Sequence, residues 1–228
     1  MKTLLFSLAT LLGVTFGNAG VTATTSAANI YVEAGASFST LSTDKGLGIR
    51  EDSFGYSLLL GAPLGDGNLS FAVSTHDVED GFEQDWGITY SRAVELFGQN
   101  LGATVHLEST DSAFGDRNEF GVGLTYAHSL ADLTATVWYE DKSNWAGVEF
   151  LLSRDIETPI DNLTVTPFTA VNLADEYIAL EAGVAVNYEL SNGLSLFAKG
   201  SYTNNDLDDS AFAVEDDWSL GAGVNFKF

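Results

Sequence analysis

The residues of this sequence with chemical potential are mostly carboxylates, and they recur at alternate positions of otherwise apolar segments. Successive side chains of a β-strand point to opposite faces, so each carboxylate lies opposite an apolar face. One histidine and two lysines occupy equivalent positions. We predict that these residues face inward and line a hydrated pore: Glu33, Glu83, Asp85, His106, Glu108, Glu119, Glu140, Glu149, Glu181, Lys199 and Lys227.

This set of side chains requires water around it. Carboxylates are too costly to bury unpaired in a dry core, and the sequence has only 9 Lys and Arg against 32 Asp and Glu. Rings of Asp and Glu favour cations in pores, and inward glycines such as Gly55 and Gly121 favour a passage by reducing the volume of the lining. We therefore predict a cation-preferring passage. The alternative is that the acids only solvate a non-conducting interior.

Other chemistry is weakly supported. The segment Asn204 to Glu215 has calcium-loop spacing, but Asn204 replaces the first Asp and Asp209 replaces the turn Gly, so we interpret it as a solvated acidic loop. The histidines lack zinc-ligand spacing, and no serine stands out as a nucleophile near His106 and Glu108. We predict no enzymatic activity, no metal site and no cofactor.

The segments that carry these residues share one pattern from residue 29 to residue 228. In each, apolar side chains alternate with small or polar ones, as where Phe54, Tyr56 and Leu58 alternate with Gly55 and Ser57. About twelve such segments of roughly ten residues occur, which is the pattern of a transmembrane barrel, and no helical period competes with it. A soluble β-sandwich also alternates.

The placement of aromatic residues favours the barrel over the sandwich. Rings lie mainly near segment ends, as Phe120 and Tyr126 do, which resembles the aromatic belts at the two faces of a bilayer. A sandwich would concentrate them in mid-strand. We predict an all-β protein: a single antiparallel up-and-down transmembrane β-barrel of about 12 strands. Two residues fit poorly: Pro167 predicts a bulge or a frayed ladder, and Arg92 is tolerable only near a rim.

The first residues predict export. Lys2 precedes the apolar run Leu4 to Phe16, which is too short for a spanning helix. Small residues follow, and cleavage after Ala19 or as late as Ala28 fits a signal peptide. The predicted organisation is a signal peptide over 1–19 and one barrel domain over 29–228. The chain has no cysteine, so no disulfide framework is expected.

The last twelve residues, Asp217 to Phe228, alternate strictly and end on an aromatic residue. We predict a membrane-insertion signal formed by Trp218, Leu220, Val224, Phe226 and Phe228. This ending resembles the C-terminal signature of bacterial outer-membrane β-barrels of the porin-like class, without indicating a subfamily.

The resemblance implies an outer-membrane location among its lipids, insertion by the barrel assembly machinery, and passive diffusion of small hydrophilic solutes or ions. Acidic connections alternate with short, mildly charged turns on the side of the C-terminus, so we expect both termini in the periplasm. A net charge of -23 argues against nucleic acid as a partner. The alternative function is a non-conducting structural or adhesive barrel.

Overall fold

The structure is a computed structural model that describes residues 30–44, 47–78, 81–111, 116–191, 193–206 and 216–227. The predicted signal peptide with both of its cleavage sites, most of the acidic loop over 204–215, and Phe228 lie outside these residues. No helix in the described ranges is long and apolar enough to cross a membrane.

The described chain forms thirteen strands in one sheet. Their bounds are Tyr31–Asp44 (β1), Leu47–Leu64 (β2), Gly67–Val78 (β3), Gly81–Leu96 (β4), Gln99–Asp111 (β5), Arg117–Ala127 (β6), Asp132–Glu140 (β7), Trp145–Ser153 (β8), Ile156–Glu157 (β9), Leu163–Ala174 (β10), Ile178–Ser191 (β11), Leu194–Asn205 (β12) and Asp216–Lys227 (β13).

The sheet closes on itself as an up-and-down barrel. Strands adjacent in the chain pair antiparallel, and β13 pairs antiparallel with β1, from Glu33 opposite Lys227 to Ser39 opposite Gly221. The two-residue β9 continues the line of β8 along β10. The structure is therefore a closed antiparallel barrel of twelve staves, which confirms the predicted fold class.

The two faces of the barrel are the reverse of those in a soluble protein. The outward face carries exposed apolar side chains, such as Tyr56 at 60% and Leu220 at 59%. The inward face carries polar side chains with almost no exposure, such as Asp85 at 0% and Thr203 at 1%. An apolar exterior on a closed sheet suits hydrocarbon, because a closed sheet has no open edge and its backbone groups pair between neighbouring strands.

Aromatic residues of the outward face pair across neighbouring strands near the strand ends. Phe120 lies directly opposite Tyr139, and Tyr202 lies directly opposite Trp218 with ring centroids 5.3 Å apart. Both pairs lie towards the end of the barrel where β7 joins β8 through residues 141–144, which we call the upper end. The lower end is the one that holds Tyr31 and Lys227.

Two of the lower-end turns are tight and use backbone conformations with positive φ. Gly65 (φ 63°) joins β2 to β3, and Phe97 (φ 53°) with Gly98 (φ 73°) joins β4 to β5. Two successive residues with positive φ form the type of turn that matches the twist of a hairpin. Phe97 is a bulky residue in a conformation that favours glycine or asparagine.

The two residues that fitted the sequence pattern poorly are both accommodated. Pro167 keeps the register of β10, but the neighbouring stave is interrupted at residues 154–155, between β8 and β9. There the amide of Arg154 donates to the carbonyl of Pro167 at 3.2 Å, while proline has no N–H to return. The ladder is thus frayed without a bulge. Arg92 lies at the lower rim, 3.3 Å from Asp66, as predicted.

Candidate functional site

Seven carboxylates converge on the inner face near the upper end of the barrel. None is more than four residues from the upper end of its strand, and together they span β4, β5, β6, β7, β8 and β11. We call this set the acidic ring: Glu83, Asp85, Glu108, Glu119, Glu140, Glu149 and Glu181. The structure therefore brings most of the predicted pore-lining acids to one level.

The densest part of the ring is a row of three glutamates on adjacent strands. Glu119 lies directly opposite Glu108 on one side and directly opposite Glu140 on the other. Side chains in such pairs are about 5 Å apart at Cβ, and like charges there repel. A cavity of about 10 Å³ beside the row has room for about one water molecule.

Basic groups moderate this row. His106 Nε2 lies 3.0 Å from Glu119 Oε1, and Arg117 Nη1 lies 3.7 Å from Glu140 Oε2. The sequence analysis did not identify Arg117, because it adjoins the connection between β5 and β6, where alternation does not show which residues belong to the strand.

A second histidine, on β3, lies next to the acidic ring. His76 lies directly opposite Glu83, and its Nε2 is 3.7 Å from Asp85 Oδ2. The hydroxyl of Ser74 donates to the same Asp85 oxygen at 3.3 Å. Asp85 has no exposed surface, so these contacts supply polar partners for a carboxylate that is fully buried.

The two predicted lysines lie against the opposite side of the barrel, and each is held in the same way. Lys199 Nζ is 2.8 Å from Glu181 Oε1 and 4.9 Å from the centre of the Phe168 ring. Lys227 Nζ is 2.9 Å from Glu33 Oε1 and 5.0 Å from the centre of the Tyr31 ring. A carboxylate and an aromatic face both attract the ammonium group.

These contacts leave the described inner face net negative. Eight carboxylates were predicted to face inward, namely the acidic ring and Glu33, and three of them (Glu181, Glu33 and Glu140) lie within 4 Å of Lys199, Lys227 and Arg117 respectively. Glu33 and Lys227 lie at the lower end, so the excess of negative charge is concentrated in the upper part of the barrel.

Two further inward acids were missed by the sequence analysis. Asp132 begins β7 at the lower end with the same alternation as Glu140, and Asp155 accepts a hydrogen bond from Thr166 Oγ1 at 2.5 Å. The alternation of β7 already indicated Asp132, whereas Asp155 lies in the interruption opposite Pro167.

Six of the inward-facing aromatic and imidazole rings each lie over a glycine of the neighbouring strand. The members of every pair are directly opposite each other in the register: Tyr31 with Gly61, His76 with Gly55, His106 with Gly121, Trp138 with Gly147, Phe168 with Gly183 and Phe197 with Gly223. A Cβ on any of these glycines would come within 3 Å of the opposite ring. The rings thus lie flat along the wall because the glycines have no side chain.

An aromatic cluster covers part of the inner wall near the upper end. Trp138 and Tyr177 are buried, and Trp145 meets Tyr177 edge to face with ring centroids 5.4 Å apart. The indole N–H of Trp138 donates to Asn172 Oδ1 at 3.2 Å. In the described ranges, no group of three or more His, Asp or Glu side chains is arranged to hold a metal ion.

The closed twelve-stave barrel with an apolar exterior and a charged interior has the fold of bacterial outer-membrane porin-like β-barrels. The chain is similar to the NanC porin over 86% of its own length and 100% of NanC, with 13% identity and a TM-score of 0.55. It is similar to the KdgM porin, solved with disordered oligogalacturonate, over 87% and 99%, with 7% identity and a TM-score of 0.55.

A third similar structure is an outer-membrane channel from Pseudomonas putida F1, matched over 87% of this chain and 95% of that one, with 12% identity and a TM-score of 0.53. No family model matches the sequence, and no curated protein matches it either. The likeness is therefore one of fold.

Proposed function

We propose that this protein is an outer-membrane channel for the passive diffusion of small hydrophilic solutes or ions, and that it prefers cations. The barrel spans the outer membrane with both termini in the periplasm, after insertion by the barrel assembly machinery. The upper end, with Asp141, Asp175 and Glu176 in its connections, then faces outward. The proposed function is transport without catalysis.

The observation that carries this proposal is the acidic ring below the upper mouth. The Debye length is about 8 Å at physiological ionic strength. The lumen of a twelve-stave barrel is narrow, intermediate between the filled interior of small barrels and the open channel of large ones. Solutes on its axis therefore remain within reach of the wall potential, which attracts cations and repels anions.

The negative charge of the acidic ring makes the proposed solutes different from the acidic ligand of one similar structure. The KdgM porin was solved with oligogalacturonate, which is a chain of acidic sugars. A polyanion entering the barrel described here would meet Glu83, Glu108, Glu119 and Glu140 near the mouth. Neutral or cationic solutes fit this interior better.

The proposal predicts that neutralising the row of glutamates weakens cation preference. In planar bilayers, the variant Glu108→Gln/Glu119→Gln/Glu140→Gln should conduct with a lower cation-to-anion permeability ratio. The reason is that three negative charges are removed from the place where the carboxylates are most closely spaced. The difference should be largest at low salt, where screening is least. Glu176→Gln removes one carboxylate outside the acidic ring, in an exposed upper connection, and as the control should keep the wild-type ratio.

A second candidate, a non-conducting structural barrel, is favoured by one observation. Several inward polar side chains are almost completely covered, including Asp85 at 0% and Thr110 at 2% exposure. Absence of unitary current steps from correctly folded protein would support this candidate over the channel.

A further inference from the structure

We infer that the six pairs of a ring and a glycine set the bore of the channel; the inference deepens the proposed function and rests on it. In each pair the ring extends sideways over the glycine of the next strand rather than towards the barrel axis. Six inward aromatic or imidazole side chains thus lie along the wall instead of across the lumen. Without the glycines, the same rings would project inward and narrow the passage.

A side chain at any of these glycines would need space that the opposite ring already occupies. Carbon atoms in contact are about 3.5–4.0 Å apart. A Cβ at Gly55 would lie 2.8 Å from His76 Nδ1, and one at Gly183 would lie 2.8 Å from Phe168 Cζ. Because the ring is stiff, it relieves such a contact by turning about χ1 or χ2, and the neighbouring strand leaves it to turn away from the wall, towards the lumen. A single methyl group on the wall therefore displaces a whole ring.

The structure distinguishes glycines that test this idea from glycines that do not. At Gly147, Gly183 and Gly223, a Cβ would also meet a backbone carbonyl oxygen, so a substitution there would strain the sheet itself. At Gly61 and Gly121, the three nearest atoms all belong to the opposite ring, Tyr31 and His106 respectively. Gly61 and Gly121 are therefore the informative positions.

The pairs lie at different heights, which gives two independent measurements of the bore. Tyr31 begins β1 at the lower end, and Lys227 Nζ lies over its ring, 5.0 Å from the centroid. His106 lies further up, where its Nε2 reaches Glu119. Displacing Tyr31 narrows the lower end, whereas displacing His106 narrows the barrel just below the row of glutamates.

The test is a double-mutant cycle on each pair, measured as single-channel conductance. Gly61→Ala should lower conductance on the order of twofold, because pore diameter limits the flow of hydrated ions. Tyr31→Ala should raise it, and Tyr31→Ala/Gly61→Ala should match Tyr31→Ala, since no ring remains to be displaced. In the second pair, Gly121→Ala should lower the conductance and His106→Ala should raise it. The double variant His106→Ala/Gly121→Ala should match His106→Ala.

Two results would overturn the inference. One is a wild-type conductance in folded Gly61→Ala and Gly121→Ala. The other is a reduced conductance that persists in the double variants, which would mean that the added methyl groups distort the barrel rather than turn the rings.

A second readout keeps the inference separate from the channel proposal. The chain has no cysteine, so Ser195→Cys on the inner face of β12, near the lower end, introduces one unique thiol. A bulky thiol reagent should label this thiol several-fold more slowly when Gly61→Ala is added, and at the original rate when Tyr31→Ala is also added. If the wild type conducts no current but labelling follows this order, the proposed function fails and the inference on the bore stands. If labelling is indifferent to Gly61→Ala, the inference fails.

Discussion

At the scale of the residue, the electrostatic character of the barrel interior depends on which charged side chains form ion pairs. The sequence identified Lys199, Glu181, Lys227 and Glu33 as inward residues from alternation alone. It could not show that they form two ion pairs, because the partners lie on neighbouring strands and their contact depends on the register of those strands. The distribution of the charged residues along the barrel likewise depends on strand register and required the structure.

The Lys199–Glu181 pair gives a direct prediction about selectivity. Lys199→Met removes the cation that lies 2.8 Å from the Glu181 carboxylate, so the inner face becomes more negative by one charge. Cation preference, measured as the reversal potential across a bilayer under a salt gradient, should increase. Lys142→Met removes the same charge from the exposed connection above β7 and serves as the control. An unchanged or lower cation preference in Lys199→Met would contradict a role for Glu181 in the pore.

At the scale of the element, strand existence and facing followed from the sequence, whereas details of turns and ladders did not. The dyad pattern predicts the strands because the two faces meet different solvents. It gives no information on the interruption at residues 154–155; that was indicated only by Pro167, which has no N–H for the neighbouring strand and predicted a bulge or a frayed ladder. Pairing each inward ring with a glycine also depends on register, so the role assigned to the glycines changes: they accommodate rings rather than only reducing the volume of the lining.

The turn between β4 and β5 predicts a stabilising substitution. Phe97 has φ 53° and a fully exposed side chain, and Gly98 follows with φ 73°. Phe97→Asn creates an Asn-Gly turn, which suits these backbone angles, and should raise the free energy of unfolding by about 1 kcal/mol. Urea unfolding in lipid vesicles measures this difference. A loss of stability would instead show that the Phe97 ring is anchored in the membrane interface.

The connection above β7 predicts a dependence of stability on pH. The side-chain amide and then the backbone amide of Asn118 donate to the Asp141 carboxylate at 2.7 and 2.8 Å, which lowers the pKa of Asp141 below its ordinary value. A lowered folded-state pKa stabilises the fold above the unfolded-state pKa of about 4, and this contribution is lost as the pH falls through the folded-state value.

Asp141→Ala should therefore unfold more easily than the wild type at pH 7, with the difference shrinking below about pH 4. Unfolding midpoints at the two pH values give the measurement. Glu176→Ala, at an exposed position of another upper connection, controls for the loss of a surface charge. A difference that stays constant with pH would mean that the carboxylate contributes through something other than its ionised hydrogen bonds.

At the scale of the whole molecule, the barrel separates an apolar exterior from a polar interior, and the interior is itself graded in charge. The acidic ring occupies the upper part, Lys199 lies near mid-strand, and the Glu33–Lys227 ion pair lies at the lower end. The rings lie flat on their glycines between these levels. In the proposed channel, this arrangement would attract cations at the upper mouth.

The reversal potential of the wild-type channel tests this account most directly. Purified barrels in planar bilayers, held between potassium chloride solutions of unequal concentration, should reverse at a potential with the sign of potassium selectivity. The value should approach zero as both concentrations are raised, because the Debye length falls to about 3 Å at 1 M and the wall charges are screened. A reversal potential with the sign of chloride selectivity, or one that does not depend on salt concentration, would contradict the central claim.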